Sequence, residues 1–419
     1  MRTAVIVTAA VTVHRLVCCA HGTVSPGTVQ ATSLETCSFR NLTCVAGELQ
    51  RLPRCGRRLT VALVGAGTFA RKAHLPSILE DMLDCFELTV IWSQSRKSAE
   101  ALVQAADAIR ARQERPRLDI RAVWGRVGWD DLLSGSFDLL DVVLPIPMQH
   151  LYVEEALARG FNVISEKPAA PTVAKARQLR DHALTAPKGP RWYVCENWRF
   201  ETPFQVAAKL LESGAVGALV AFAATSVAKI SDGHMFLEES SWRVRENSNW
   251  IVDVAVHMAA ALRLVLGSSL HVRSVIAAQH RSSIAPFDTF AATLERECEA
   301  NASALGTWLF SLSAARPTAP EVGGLSDMEL RLSGESGAVV ATRDRVELHG
   351  LDGRVLERAQ GLASHSVALA LRAAALAVLG EQTSERVASD EAILDLQFVE
   401  QLLLASRIPL GGLPRRGEL

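Results

Sequence analysis

Tyrosine occurs only twice, aromatic residues make up 5% of the chain, and the formal net charge is -1. A near-neutral chain carries no electrostatic footprint for nucleic acid, so none is expected as a partner. No apolar run reaches the roughly 20 residues needed to span a bilayer. The nearest, Trp250 to Leu266, is interrupted by Asp253, His257 and Arg263 and reads as a buried amphipathic helix. No membrane partner is expected. Neither a CxxC pair nor an HExxH motif occurs, so no metal site is expected. The body has few cysteines: Cys85, Cys195 and Cys298 are scattered and read as reduced interior thiols, whereas Cys18, Cys19, Cys37, Cys44 and Cys55 precede the first strand.

The first 58 residues lack lysine and hold only two acids, Glu35 and Glu48, against seven arginines. Arg2 followed by the mostly apolar Ala4 to Val13 has the form of a short signal-like h-region, and an acid-poor, Arg- and Ser-rich leader also suits an organelle transit peptide. A disordered segment without a targeting role is the other reading. The expected compartment is the cytoplasm, or a plastid or mitochondrion if the leader is a transit peptide. Asn41-Leu42-Thr43 and Asn301-Ala302-Ser303 match the glycosylation acceptor pattern, which is too common by chance to establish secretion.

What is present is apolar content, 49% over 419 residues, enough for two domains with substantial cores. From Leu59 apolar strands alternate with helical stretches. Strands are expected at Leu59–Val64, Phe86–Trp92, Arg121–Val123, Asp138–Leu144, Phe161–Ile164 and Trp192–Cys195. Helices are expected at Ala70–Leu83, Ser98–Arg112, Leu151–Arg159 and Thr172–Ala183. This alternation predicts a doubly wound parallel sheet, an α/β Rossmann domain over residues 59–195. Residues 196–405 change pattern. A helix over Pro203–Ser213, a strand near Ala218–Ser226, a polar loop over Lys229–Asn249 and a helix over Ile251–Leu266 precede six strand-like segments between Val272 and His349. Helices over Ser364–Leu379 and Asp390–Ala405 follow. This predicts an α+β domain with a largely antiparallel, open-faced sheet for substrate binding and oligomerisation. Residues 406–419 read as a frayed tail.

Gly65-Ala66-Gly67-Thr68-Phe69-Ala70 sits between the first strand and the first helix. In that GxGxxA pattern Gly65 makes the tight turn, Gly67 lets backbone approach a pyrophosphate, and Ala70 permits close helix–strand packing. The helix N-terminus adds free amides and positive partial charge. At the end of the second strand, where an acid would bind a ribose 2′-hydroxyl, the chain has Ser93-Gln94-Ser95-Arg96-Lys97. Two hydroxyls and two cations favour a 2′-phosphate, hence NADP over NAD. Further along, Asp253 and His257 stand at i and i+4 on an otherwise apolar helix, which predicts a shared face and a need for partners or a cavity. His257 is the candidate general base, and Asp253 the group that orients substrate or imidazole.

Four features together resemble the Gfo/Idh/MocA oxidoreductases, the glucose–fructose oxidoreductase and inositol dehydrogenase family. They are the glycine turn, Asp141-Val142-Val143-Leu144-Pro145 with His150 after the fourth strand, Glu166-Lys167-Pro168, and the Asp253/His257 pair. Resemblance runs from about Leu59 to Ala405, and the Leu144-Pro145-Ile146-Pro147 wording is most similar to a eukaryotic subgroup of undefined substrate. The resemblance implies hydride transfer between a nicotinamide and a sugar, polyol or related hydroxy or keto compound. It places Lys167 at the nicotinamide and the reacting oxygen, with Pro145, Pro147, His150, Glu166 and Asn197 near the cofactor. Trp198, Arg199, Trp242 and Arg243 become candidate substrate contacts, and a homo-oligomer through the second sheet is expected. Ala255 stands where the family usually has glycine, and Asn249-Trp250 where a glycine pair is frequent. The competing reading is a non-catalytic, nucleotide-sensing regulatory protein of the same fold. Regulatory members tend to lack a complete lysine–histidine set, which this chain keeps, so the enzyme is preferred.

Overall fold

In the first domain the predicted alternation becomes six strands: β1 (Leu59–Val64), β2 (Phe86–Ser93), β3 (Arg121–Trp124), β4 (Leu139–Val142), β5 (Val163–Glu166) and β6 (Trp192–Cys195). The computed structural model describes residues 41–49, 51, 53–186, 189, 191–239, 241–246, 248–297, 303–315, 328–361 and 364–406. The signal-like stretch, Cys18, Cys19, Cys37, Cys298, Asn301 and the tail from residue 407 lie outside these residues. All pairings in the first sheet are parallel and the order is β3-β2-β1-β4-β5-β6. The order in which strands are added reverses between β1 and β4, which opens a crevice at the carboxyl ends of the strands. β4, β5 and β6 are buried throughout, as a sheet covered on both faces requires.

Among the helices, α1 (Leu42–Leu49) lies inside the expected leader. The Asn41 side chain accepts from Cys44 N at 3.0 Å, capping the helix, and Leu42, Val45 and Ala46 are buried. The helix after the glycine turn contains two π segments, Ala70–His74 and Ser77–Asp81. Then come α2 (Arg96–Arg112), α3 (Gly125–Ser134), α4 (Ile146–Ala158) and α5 (Val173–Thr185). α3 was not predicted: Gly125 and Gly128 weaken its local signal, yet Trp129, Leu132 and Leu133 are buried on one face. α4 starts five residues before the expected Leu151, with Pro145 at its cap and Pro147 in its first turn, where a missing N–H costs nothing.

The cysteine expectation needs correction. Cys195 is free and buried, but Cys85 is bonded to Cys55. Cys85 closes the first helical region just before β2, and its carbonyl accepts from Leu59 N at 2.7 Å, so the two chain entries run side by side. The bridge encloses β1 and the glycine turn. Loop-closure entropy assigns a crosslink of this span roughly 3–4 kcal/mol.

The second part begins with the short turn Asn197–Phe200 and α6 (Thr202–Glu212), followed by β7 (Leu219–Val227) and α7 (Trp242–Arg245). A π segment, Ile251–Ala255, runs directly into α8 (Val256–Leu266), which stops at Gly267 with φ +83°. Strands β8 (Leu270–Ala278), β9 (Thr289–Glu297), β10 (Ser303–Ser311), β11 (Glu329–Gly334), β12 (Ala338–Ala341), β13 (Arg345–His349) and β14 (Val355–Gln360) follow, then α9 (Ser366–Leu379) and α10 (Ser389–Ala405). The sheet order is β14-β13-β12-β11-β7-β10-β9-β8. Its pairs are antiparallel except β7 with β10. β14, an exposed and partly charged edge strand, carried no sequence signal.

The last two helices reach back across the molecule. α9 packs its Leu369, Ala370, Leu371 and Ala374 into one core with Leu59, Leu63, Leu139 and Ile164 of the first sheet. Arg372 pairs with both oxygens of Asp84, at 2.9 and 2.7 Å. α10 packs on α5, α8 and β8. No helix of the described residues is long and apolar enough to cross a membrane.

Candidate active site

The glycine turn has the geometry its sequence predicts. Gly65 sits at φ +121°, and a Cβ there would lie 2.1 Å from the Val143 carbonyl oxygen. Only glycine fits so close an approach of β1 to β4. Gly67 faces open space, with nothing within 4 Å of an added Cβ. The first bond of the helix runs from Arg71 N to Gly67 O at 3.1 Å, so the amides before it have no intrahelical partner. Thr68 and Phe69 are exposed beside them, and Ala66 is half-buried. The turn therefore combines an open approach with unpaired amides, and these residues fit a dinucleotide pyrophosphate.

At the end of β2, Ser93 is buried and Ser95 caps α2, accepting from Ser98 N at 3.2 Å. Arg96 is exposed. Its Nε donates to Glu100 at 2.7 Å and its guanidinium lies 5.2 Å from the ring centroid of Trp124, at the end of β3. Pro145 and Pro147 line the start of α4, and His150 is half-buried one turn on, its pKa lowered by burial.

Beneath the crevice a buried triad ties three elements together. His74, from the first helical region, holds Asp141 Oδ2 at 2.8 Å through Nδ1 and Glu166 Oε1 at 2.9 Å through Nε2. Both partners accept, so both ring nitrogens donate and the ring is an imidazolium. Burial alone would lower the His74 pKa; the two carboxylates outweigh it and push it up to about 10. Gln149 donates to the Glu166 carbonyl, fixing the backbone one residue before Lys167.

Lys167 leaves the end of β5, and its peptide bond to Pro168 is cis. Its Nζ donates to the Asp253 carbonyl at 2.7 Å and to Asp253 Oδ1 at 3.1 Å. Arg243 Nε donates to Asp253 Oδ2 at 2.5 Å. Burial alone would raise the Asp253 pKa, but Lys167 and Arg243 hold it well below the usual carboxylate range. The Arg243 guanidinium lies over two rings, 4.0 Å from the Phe236 centroid and 4.4 Å from that of Trp242. The Lys167 side chain keeps 13% exposure, enough to meet a small molecule.

Asp253 and His257 do not share partners as an ordinary helix face would predict. The π segment Ile251–Ala255 widens the turn between them. Asp253 is committed to Lys167 and Arg243, while His257 Nδ1 lies 2.7 Å from Glu196 Oε1. Trp198 stacks on the His257 ring at 5.8 Å and on Phe204 at 5.7 Å. The structure thus brings Lys167, Asp253, His257, Trp198, Trp242 and Arg243 to one neighbourhood at the carboxyl edge of the first sheet. It commits two other residues elsewhere. Arg199 is buried and bonded to Asp395, with Glu391 at 3.2 Å. Asn197 donates to Ser366 Oγ at 2.9 Å, toward α9. Sequence reasoning missed Glu196 and His74. Glu196 directly precedes the candidates Asn197 and Trp198, but a carboxylate after a strand carries no signal until its partner is known. Likewise, His74 lies on a helix face indistinguishable from core.

Two family models cover these two parts of the chain: an oxidoreductase family, NAD-binding Rossmann fold, over residues 59–188, and the Gfo/Idh/MocA C-terminal domain over residues 204–340. A dehydrogenase of Fusarium mangiferae, FPY6, is 33% identical over 49% of this chain and 57% of its own length. The chain spans about half the length of the first curated relatives it matches. A D-apiose dehydrogenase of Paraburkholderia graminis is 25% identical over 71% of each chain. An oxidoreductase from Thermotoga maritima shares the fold with a TM-score of 0.68 at 22% identity, covering 84% of this chain and 97% of its own. The two matched domains and the parallel sheet with its glycine turn have one common explanation: the chain belongs to the Gfo/Idh/MocA oxidoreductase family.

Proposed function

We propose that the protein is an NADP-dependent oxidoreductase that moves hydride between the nicotinamide and a sugar, polyol or related hydroxy or keto compound. The observation that carries the reading is the Lys167–Asp253 pair beside the Glu196–His257 pair at the carboxyl edge of the parallel sheet. The bound dinucleotide supplies the hydride acceptor or donor. Gly65, Ala66, Gly67, Thr68 and Phe69 would hold its pyrophosphate. Ser93, Ser95 and Arg96 are the residues at its ribose, and Pro145, Pro147, His150 and Glu166 border its path. Lys167, held by Asp253, donates a hydrogen bond to the substrate oxygen and stabilises negative charge developing there. His257 takes the hydroxyl proton on oxidation and returns it on reduction. Trp242 and Arg243 border the substrate space; a relative overlapping 71% of the chain is a D-apiose dehydrogenase, which supports a polyhydroxylated substrate.

The open face of the second sheet supports the oligomer. Across β8, β9, β10 and β7, Ile276, Ala291, Leu309 and Thr225 stand in register, and Leu305 lies on the same face. Ile276 is 79% exposed, Leu305 63% and Leu309 44%. Three exposed large apolar side chains, Ile276, Leu305 and Leu309, on one uncovered sheet face fit an association surface. Sedimentation at micromolar concentration is expected to show a dimer or larger; a monomer alone removes the oligomer.

The experiment for the activity is a fluorescence titration of the full chain with NADPH and NADH, then a panel of sugars, polyols and dicarbonyls. Tight NADPH binding with turnover is expected. Tight binding without turnover across the panel would favour the sensing protein instead.

A further inference from the structure

We propose that Glu196 is the positioning residue of the proton-transfer group: it fixes the His257 tautomer so that Nε2 is the basic nitrogen. The proposal rests on reading this site as an oxidoreductase. Glu196 follows β6 and its carboxylate is buried. Its Oε1 accepts from His257 Nδ1 at 2.7 Å and from Trp198 N at 3.1 Å. Burial alone would raise the Glu196 pKa, but His257 and Lys167 overcome this and lower it, so the group is an ionised, acceptor-only carboxylate.

An acceptor at Nδ1 requires a proton there, which in the neutral ring leaves the lone pair on Nε2. The stack of Trp198 on the imidazole, backed by Phe204, opposes rotation of the ring. Asp253 does not hold the ring: its oxygens accept from Lys167 and Arg243, and the His257 Nδ1 bond goes to Glu196. The two buried carboxylates therefore divide the site: Asp253 orients the ammonium and Glu196 orients the imidazole.

The charge balance supports the same division. On oxidation the hydrogen on the reacting carbon would leave with the C–H electron pair as hydride, which a bound nicotinamide would accept. The O–H proton goes to His257 Nε2, and the C=O bond forms. The ring then carries a positive charge, and Glu196 is the carboxylate in contact with it. Glu196 Oε2 is buried with no hydrogen-bond partner among the described residues, so no donor fixed on that oxygen dilutes the response to the new charge. Reduction returns the proton along the same path.

The test has two arms. In the first, the full chain with 15N-labelled histidine is examined by long-range 1H–15N correlation, and the His257→Asn variant identifies the resonance. The neutral wild-type ring is expected to show a protonated Nδ1 and a bare Nε2. A proton on Nε2 overturns the proposal whether or not any variant folds. In the second arm, Glu196→Gln and Glu196→Asp are assayed on the panel member that turns over. Glu196→Gln is expected to lower kcat by on the order of 10² to 10⁴, the contribution of a correctly positioned acid–base group, with the KM for NADPH unchanged. Glu196→Asp is expected to recover part of that loss. Wild-type turnover in Glu196→Gln overturns the proposal. Failure of the wild type to bind NADPH overturns the oxidoreductase reading itself, while the tautomer is still decided by the first arm.

Discussion

Lys167 and Asp253 meet across the two parts of the chain, with the ammonium 3.1 Å from one carboxylate oxygen and 2.7 Å from the same residue's carbonyl. One comes from the end of β5, the other from the π segment before α8. A buried pair of this kind is costly to break from one side, because the remaining charge stays in a poorly solvated place. The contact therefore ties the Lys167 ammonium at the end of β5 to the π segment that leads into α8. Arg243 takes the other oxygen and brings the 229–249 loop into the same network.

Replacing Lys167 with Met should remove the donor to the reacting oxygen while keeping the bulk of the side chain. Turnover is expected to fall by on the order of 10² to 10³, the usual cost of losing one such donor. NADPH affinity, measured by fluorescence, should change little. Equal losses in both quantities would mean that Lys167 holds the cofactor rather than the substrate oxygen.

Gly65→Ala places a methyl group 2.1 Å from the Val143 carbonyl at a φ of +121°. Backbone strain of this kind costs about 1–3 kcal/mol, and the shift needed to relieve it displaces the turn. Calorimetry should show a lower Tm and no stabilisation on adding NADPH. A variant with the wild-type nucleotide response would show that the turn does not hold the pyrophosphate.

Arg96→Ala should raise the KM for NADPH by about tenfold or more, the worth of one charge-assisted hydrogen bond. The KM for NADH should move far less. In the structure Arg96 is shared between Glu100 and Trp124, so binding a 2′-phosphate requires exchange of the exposed Glu100 contact. Parallel effects on the two nucleotides would remove the assignment.

His74 sets a pH dependence of stability. Its pKa is about 10 in the fold against 6.5 for the unperturbed group. A raised folded value means that the contribution is fully present below about pH 6.5 and is lost as pH rises toward 10. The upper limit on the slope is about 1.4 kcal/mol per pH unit. Between pH 7 and 9.5 the wild-type Tm should fall more steeply than that of His74→Gln. Identical slopes would show that the triad does not titrate in this window.

The strands of the first domain were legible because each is a short apolar run between turn signals, and burial on both faces leaves such a run no other use. The glycine turn was legible because Gly65 and Gly67 stand at a fixed spacing between an apolar strand and a helix, and Gly65 itself occupies a position that admits no side chain. α3 and β14 were not. One begins with poor helix formers, the other is an edge strand with charged residues, and both owe their form to what they pack on or pair with. The disulfide was also beyond reach, since the spacing of Cys55 and Cys85 says nothing until β1 and β2 lie side by side.

By itself the sequence determined the α/β class, the order of elements, the nucleotide turn and the identity of the lysine, aspartate and histidine, because these depend on local periodicity and on residue chemistry. Only the tertiary structure decided their pairing. The i,i+4 spacing of Asp253 and His257 predicted a shared face, but a π turn separates them and gives each its own partner, Lys167 from the end of β5 and Glu196 from just after β6. Arg199, equally plausible as a substrate contact from sequence, is held by Asp395 from the last helix. The reason is physical: a buried charge must find a counter-charge, and which one it finds is set by contacts between residues far apart in the chain.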